Sequence, residues 1–439
     1  MIRPLTRAIF ACCSLLPLLA HADPAPDVEA LRREVAEARA RLETEGQRLT
    51  ALEAQLASLS PAPPPSALPA PAPVPTPQAA SGGGRLRLLD LSLGGLFAAG
   101  ASTANAADLA KLEAGGHDPH QRGVTVQNVE LSFLGAVDPY LQGEAHVVLQ
   151  IDEAGETGVE LEEAFVRTTS LPKGLELKAG QYFTDFGRLN SQHPHRWAFA
   201  NQPVINSRLL GPDGLRGPGA RLSWLTPAPW YSELTFGVQN ANGETAVSFL
   251  ANEAQEPIGG HPHGGAKVLA PSDMVWSGRW LNSFSVSKNT TLNLGASAVF
   301  GPNATGQDAR TAISGVDAYL NWKPAATERG FPFVAWQTEF MARKYDAAEF
   351  IDATTGALIP QETLHDSGFY SQVTYGFRPG WTIGLRVDHA DGDECLALDS
   401  RSDALRDRRD RLSTALTYYP TEFSKVRFQY DLDRSQFAR

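Results

Sequence analysis

Cysteine is nearly absent: there are three in 439 residues, and two of them, Cys12 and Cys13, fall in an N-terminal segment that reads as a leader. Removing that leader leaves Cys395 alone, so no internal disulfide can form. No stretch outside the leader approaches the ~18 apolar residues that a membrane-crossing helix needs. Hydrolase signatures are missing too, with no Gly-x-Ser-x-Gly elbow and no serine paired with a histidine on a facing strand. Basic residues are the minority, 38 Lys and Arg against 49 Asp and Glu, for a formal net charge of −11, which argues against nucleic acid as a partner. A disulfide-built domain, a helical membrane protein and a triad enzyme are all set aside on these grounds.

What is present begins with that leader, residues 1–22. Arg3 and Arg7 form a basic start, Ala8 to Ala20 an apolar run, and Ala20-His21-Ala22 a small-x-small cleavage site before Asp23. Residues 23–60 follow with a heptad pattern. Val28, Val35, Leu42, Leu49 and Leu56 occupy a positions, and Leu31, Ala38, Glu45, Leu52 and Leu59 occupy d positions. Nine of these ten suit a buried seam, which predicts a coiled coil. At about 1.5 Å per residue the helix is roughly 48 Å long, and so polar a helix needs partners. Residues 61–84 (PAPPPSALPAPAPVPTPQAASGGG) read as a stiff polyproline-type spacer ending in a glycine hinge.

From residue 85 to 439 the chain is a rhythm of short alternating segments. Fifteen candidate strands are separated by connections that alternate between short, as at Asp138–Tyr140, Leu171–Gly174 and Arg378–Gly380, and mostly long, as at 185–217, 241–272 and 392–410. A soluble sandwich has no reason to gather its long loops at one end, whereas an outer-membrane barrel has tight periplasmic turns and long outward loops. Within strands the period is two. Trp381, Ile383, Leu385 and Val387 alternate with Thr382, Gly384, Arg386 and Asp388; Val426, Phe428, Tyr430 and Leu432 alternate with Lys425, Arg427, Gln429 and Asp431. Charge on the second face suits a closed barrel that is apolar outside and polar inside. Trp230, Tyr231, Trp276, Trp322, Trp381, Tyr418 and Tyr419 fall near strand ends, where aromatic rings rest at headgroup depth. The predicted fold is all-β: a transmembrane antiparallel up-and-down barrel of about 16 strands in the bacterial outer membrane. Because 425–433 is the fifteenth strand, an even count requires one more. The expectation is a missing closing strand, with unpaired edges at 86–99 and 425–433, or else a strand overlooked near 158–168 or inside 185–217.

The connection 185–217 is the most chemically loaded part of the chain. Over 185–221 five arginines, Arg188, Arg196, Arg208, Arg216 and Arg221, face only Asp185 and Asp213, a local charge of +3. Folded into the lumen, such a loop narrows a channel and lines it for anions. Lys178, Arg279, Arg343 and Arg386 extend the set, opposed by Glu233, Glu339 and Asp388. The competing reading is that these arginines pair with loop carboxylates and only hold the loop in place. Three proline-spaced pairs, His117/His120, His193/His195 and His261/His263, offer ligands for a divalent metal such as zinc, as does the Glu160, Glu162, Glu163 cluster for a cation. No cofactor is otherwise implied.

The hairpin ELSFLGAVDPYLQGEAHV (130–147), the run KAGQYFTDFGRLNS (178–191) leading into a long loop, and the strand–loop rhythm over 86–433 together resemble the phosphate-selective porin O/P group of outer-membrane porins. That resemblance implies a 16-stranded trimeric barrel, often preceded by a short coiled coil, that passes small anions by diffusion. It also implies a final strand ending in an aromatic residue, where this chain has Arg439, and a lysine cluster, where the loop has no lysine. The implied partners are membrane lipid, two further copies of the chain and small solutes; an envelope tether through the coil is the alternative. A peptide of residues 28–59 is expected to crosslink as a trimer, and a stable monomer would refute the coiled coil.

Overall fold

The computed structural model describes residues 6–13 and 89–436, apart from short breaks at 113–114, 117, 120–121, 152–154, 252–254, 353, 355, 397–402 and 404. The predicted coiled coil, the proline-rich spacer and the cleavage site lie outside these residues. The chain enters its main body at β2 (Asp90–Ser102) and continues through β3 (Gly123–Ala136), β4 (Leu141–Ile151), β5 (Thr157–Thr168) and β6 (Leu175–Phe183). Then come β7 (Arg216–Leu225), β8 (Tyr231–Gln239), β9 (Val275–Ser287), β10 (Thr290–Pro302), β11 (Arg310–Trp322) and β12 (Phe333–Ala347). A two-stranded flap, β13 (Phe350–Ile351) with β14 (Leu358–Ile359), precedes β15 (Glu362–Arg378), β16 (Trp381–Gly392), β17 (Arg409–Thr421) and β18 (Ser424–Ser435). Each main strand pairs antiparallel with its chain neighbours, so the sheet runs up and down. Apart from the two-residue strands of the flap, the strands between Asp90 and Ser435 have 9 to 17 residues and meet the roughly 9–11 that a tilted strand needs to span hydrocarbon.

Fifteen of these strands match the fifteen read from the sequence. The sixteenth comes from an unexpected place. Residues Thr6–Cys13, called β1, pair with β18 (Thr6 opposite Asp433, Cys13 opposite Val426) and with β2 (Ala8 opposite Ser102, Cys13 opposite Phe97), closing the ring. The expectation of two bare edges is therefore corrected: both find backbone partners. An edge N–H or C=O facing lipid has no water to bond, so an added strand is strongly favoured there. Neither suspected place hides a further strand, because 157–168 is the single β5 and 184–215 is a loop with one short helix.

Burial along the strands is inverted relative to a soluble protein. In β16 the side chains of Ile383, Leu385 and Val387 are 51, 50 and 40 % exposed, whereas Thr382, Arg386 and Asp388 are 4, 1 and 3 % exposed. The same holds in β17 and β18, where Leu412, Leu416 and Phe428 face out and Arg411, Ser413, Arg427, Gln429 and Asp431 face in. Trp224, Trp230 and Tyr418 lie half-exposed near the short-turn ends, with Trp381 stacked on Tyr418 at 4.6 Å. The buried apolar cluster is not sheet against sheet. Phe186, Val204, Ile205, Leu209, Leu210 and Phe249, from the connections 184–215 and 240–274, pack against inward positions such as Ile313, Met341 and Tyr370.

The leader reading and the strand reading of 6–13 predict different mature proteins. Intact-mass analysis of the membrane-extracted chain is expected to show an N-terminus at Asp23, leaving the seam between β2 and β18 to another partner. Recovery of Thr6–Cys13 in the folded protein would instead make β1 a permanent strand.

Candidate functional site

The loop 184–215 is held inside the ring by groups from opposite walls. The Arg188 and Leu189 amides donate to Glu339 Oε1 at 3.0 and 2.8 Å, and the Tyr370 hydroxyl donates to the same oxygen at 2.6 Å. Gly187, at φ 59°, makes the turn that allows this approach, and a Cβ there would collide with the Glu339 carboxylate. Further along, the Ala200 amide donates to Gln429 at 2.7 Å, the Asn201 side chain to Asp431 at 3.0 Å, and the Val204 amide to Asp388 at 3.2 Å. On the other side Gln127 donates to the Ala200 carbonyl. Val204–Leu210 then forms the short helix α2, the second after α1 (Ala106–Leu112), and packs on β15 and β16.

Interior charge is arranged in pairs. Arg343 lies opposite Asp366 in the β12–β15 register and donates to it at 2.9 and 2.7 Å. Arg411 is the middle of a rung, with Asp388 opposite on β16 and Asp433 opposite on β18; both Arg409 and Arg411 donate to Asp433 at 2.9 and 3.0 Å. Cross-strand opposite charges of this kind favour one register. Of the arginines singled out from the sequence, Arg386 donates to Asp388 at 2.8 Å and to the Asn201 carbonyl at 2.9 Å, and Arg279 pairs with Asp317 at 2.7 Å. Arg221 bridges Asp185 and Glu176, and Arg216 contacts Glu160. All five pair with carboxylates, and of those carboxylates only Asp185 belongs to a long connection, the others lying on strands. Arg208, in α2, donates to the carbonyls of Arg406 and Asp407, and burial together with neighbouring Arg409 lowers its pKa to about 10. Arg188 lies over the Tyr319 ring at 3.7 Å, Lys178 over Phe165 at 3.9 Å, and Arg196 is exposed.

Sequence reasoning passed over Arg406, Arg409, Arg411 and Arg427, which anchor the interior as firmly as any residue it named. Arg406 pairs with Asp366 and Asp393, and Arg427 donates to the Trp197 carbonyl at 2.9 Å. The signal was available: Arg409 and Arg411 continue inward the two-residue period of β17.

Among the three histidine pairs, His117 and His120 fall at breaks in the described chain. His261 is buried against Glu362 at 2.7 Å, and His263 is only partly buried. Within the described residues, His193 and His261 have separate partners. His193 joins residues the sequence reading did not single out as ligands, Glu130 on β3 and His146 on β4, at the wall below the loop. Glu162 and Glu163 join them through an irregularity. In the β4–β5 register His146 faces Glu163 and Val147 faces Leu161, so Glu162 is the extra residue of a bulge, and both adjacent carboxylates point inward. His193 then contacts Glu130 at 3.2 Å, Glu162 at 2.9 Å and Glu163 at 3.1 Å, and His195 contacts Glu130 at 3.1 Å. Burial disfavours charge on His193, but the three carboxylates outweigh it and hold its imidazole well above the usual range.

No family model matches the chain. An uncharacterized protein of Aquifex aeolicus (strain VF5) is 29 % identical over 343 residues, 73 % of this chain and 66 % of that one, so the chain spans about two thirds of that relative's length. Among solved structures, the outer membrane channel DcaP of Acinetobacter baumannii superposes with a TM-score of 0.48 at 10 % identity, covering 79 % of this chain and 97 % of that one. An anion-selective porin from Comamonas acidovorans gives 0.43 at 10 % identity, covering 79 and 99 %. Likeness this loose assigns no family, and the fold stands on its own strand pairing.

Arg386 is the sharpest probe of the loop's attachment. Arg386→Ala strands Asp388 and frees the Asn201 carbonyl, a loss of about 3–5 kcal/mol when a buried partner is removed. Trypsin is expected to cut the variant faster after Arg196 and Arg208 than the wild type. Unchanged cleavage would mean the loop is held elsewhere.

Proposed function

We propose that the protein is a bacterial outer-membrane channel through which small hydrophilic solutes pass by diffusion. One observation carries this reading: apolar side chains on the outside of the sheet and paired charges on the inside, seen in β16 as Ile383, Leu385 and Val387 against Arg386 and Asp388. Only a non-aqueous surrounding makes that distribution favourable, since each outward aliphatic side chain would otherwise leave ~1.5–3 kcal/mol of burial unrealised. The one-sided placement of the long connections supports the same orientation, with short turns toward the periplasm and loops outward. An N-terminal leader fits export to that membrane. The heptad pattern at 28–59 supports a trimer.

Anion preference is the finer part of the proposal. With Arg216, Arg221, Arg279, Arg343 and Arg386 engaged by carboxylates, it rests on Arg188, Arg196 and Lys178, whose described contacts are rings, an amide or solvent. A field set by three cations is modest, and phosphate specificity is not part of the reading.

Purified protein in a planar bilayer under a salt gradient is expected to give stepwise conductance, with a reversal potential on the anion-selective side. Replacing Arg188 and Arg196 by Ala should move that potential toward cations. A silent bilayer would contradict the channel, and a cation-selective wild type would contradict the anion preference alone.

A further inference from the structure

We propose that Glu130, His146 and His193 form a binding site for a divalent cation of the zinc type on the inner wall of the barrel. One ligand atom from each of the three side chains lies within 4.8 Å of the other two. Around an ion with bonds of about 2.0–2.2 Å, neighbouring ligand atoms of a tetrahedron lie roughly 3.2–3.6 Å apart. Glu130 meets the two imidazoles with its two oxygens, Oε1 at 3.0 Å from His146 Nδ1 and Oε2 at 3.2 Å from His193 Nδ1, each within a few tenths of an ångström of that edge. A small outward shift of three side chains makes room for the ion. Glu162 Oε2, 2.9 Å from His193 Nδ1, is placed to supply a fourth ligand.

The surroundings match what metal-bound imidazoles require. A ligating histidine usually gives its other ring nitrogen to a carboxylate, which fixes the ring and its tautomer. His146 meets Glu144 through Nε2 at 2.9 Å, and His193 meets Glu163 through Nε2 at 3.1 Å, leaving both Nδ1 atoms turned toward Glu130. Two nitrogen and two carboxylate donors select zinc and its neighbours over magnesium or calcium, which prefer oxygen alone. Three strands and one loop contribute these four ligands, so the ion would fasten the loop to the wall. The site does not depend on the channel reading.

Isothermal calorimetry of the folded protein in detergent is expected to show a single equivalent of zinc bound and no response to magnesium. His146→Gln and His193→Gln should each abolish the heat, and Glu144→Gln should weaken binding roughly 10–100-fold. His261→Gln, whose partner is Glu362, should leave it unchanged. No zinc heat with the wild type, or the same heat in both ligand variants, would overturn the proposal and make the cluster a hydrogen-bonded brace. If the variants do not fold, cobalt(II) added to the wild-type protein decides. Visible absorption from nitrogen and oxygen coordination supports the site, and a spectrum like that of aqueous cobalt overturns it.

Discussion

A charge inside this ring finds little water and no lipid willing to solvate it, so it must find an opposite charge or a backbone dipole. Much of the structure follows from that constraint. Asp388, Arg411 and Asp433 form one rung across three strands, and Arg343 with Arg406 clasps Asp366 from two sides. The strand register that makes these pairs also aligns the outward aliphatic side chains. The loop 184–215 supplies further partners to the wall, its amides bonding Glu339 and Asp388 and its carbonyls receiving Arg386 and Arg427. Each such pair contributes less to stability than its geometry suggests, since desolvation offsets much of the attraction. Its clearer consequence is that the loop has one place to lie.

The account also changes what an arginine-rich interior means. Counting cations along a loop suggests a path for anions. Of the nine cations singled out from the sequence, on the loop and on strands, five are engaged by carboxylates, as Arg343 is by Asp366 and Arg279 by Asp317. On the channel reading proposed above, solute preference is left to the few charges outside the pairs. The wall below His193 has the opposite character, with four carboxylates around two imidazoles.

The fold was legible where the two-residue period is clean. In β16 and β18 the sequence separates outward from inward residues without help, and the alternation of short and long connections orders the strands. The site was legible in its loop but not in its partners, because cross-strand contacts depend on register. His146 reads as one polar residue in an alternating strand until β3 and β5 bring Glu130 and Glu163 beside it. The bulge at Glu162 defeats the period itself, turning two consecutive carboxylates to one face where alternation allows one. The pairing of β1 was hidden for a different reason: a basic, apolar N-terminus carries a leader's signature as readily as a strand's.

The central claim is that the outer face of this sheet lies in lipid and its inner face does not. Spin labels on single cysteines, in a background lacking Cys12, Cys13 and Cys395, test it on the protein in bilayers. Labels at Leu385 and Leu416 are expected to be accessible to oxygen dissolved in lipid and shielded from a water-soluble relaxant, while labels at Thr382 and Thr417 are shielded from the lipid-borne oxygen. Water access at Leu385 and Leu416 would contradict the membrane barrel and the channel reading built on it.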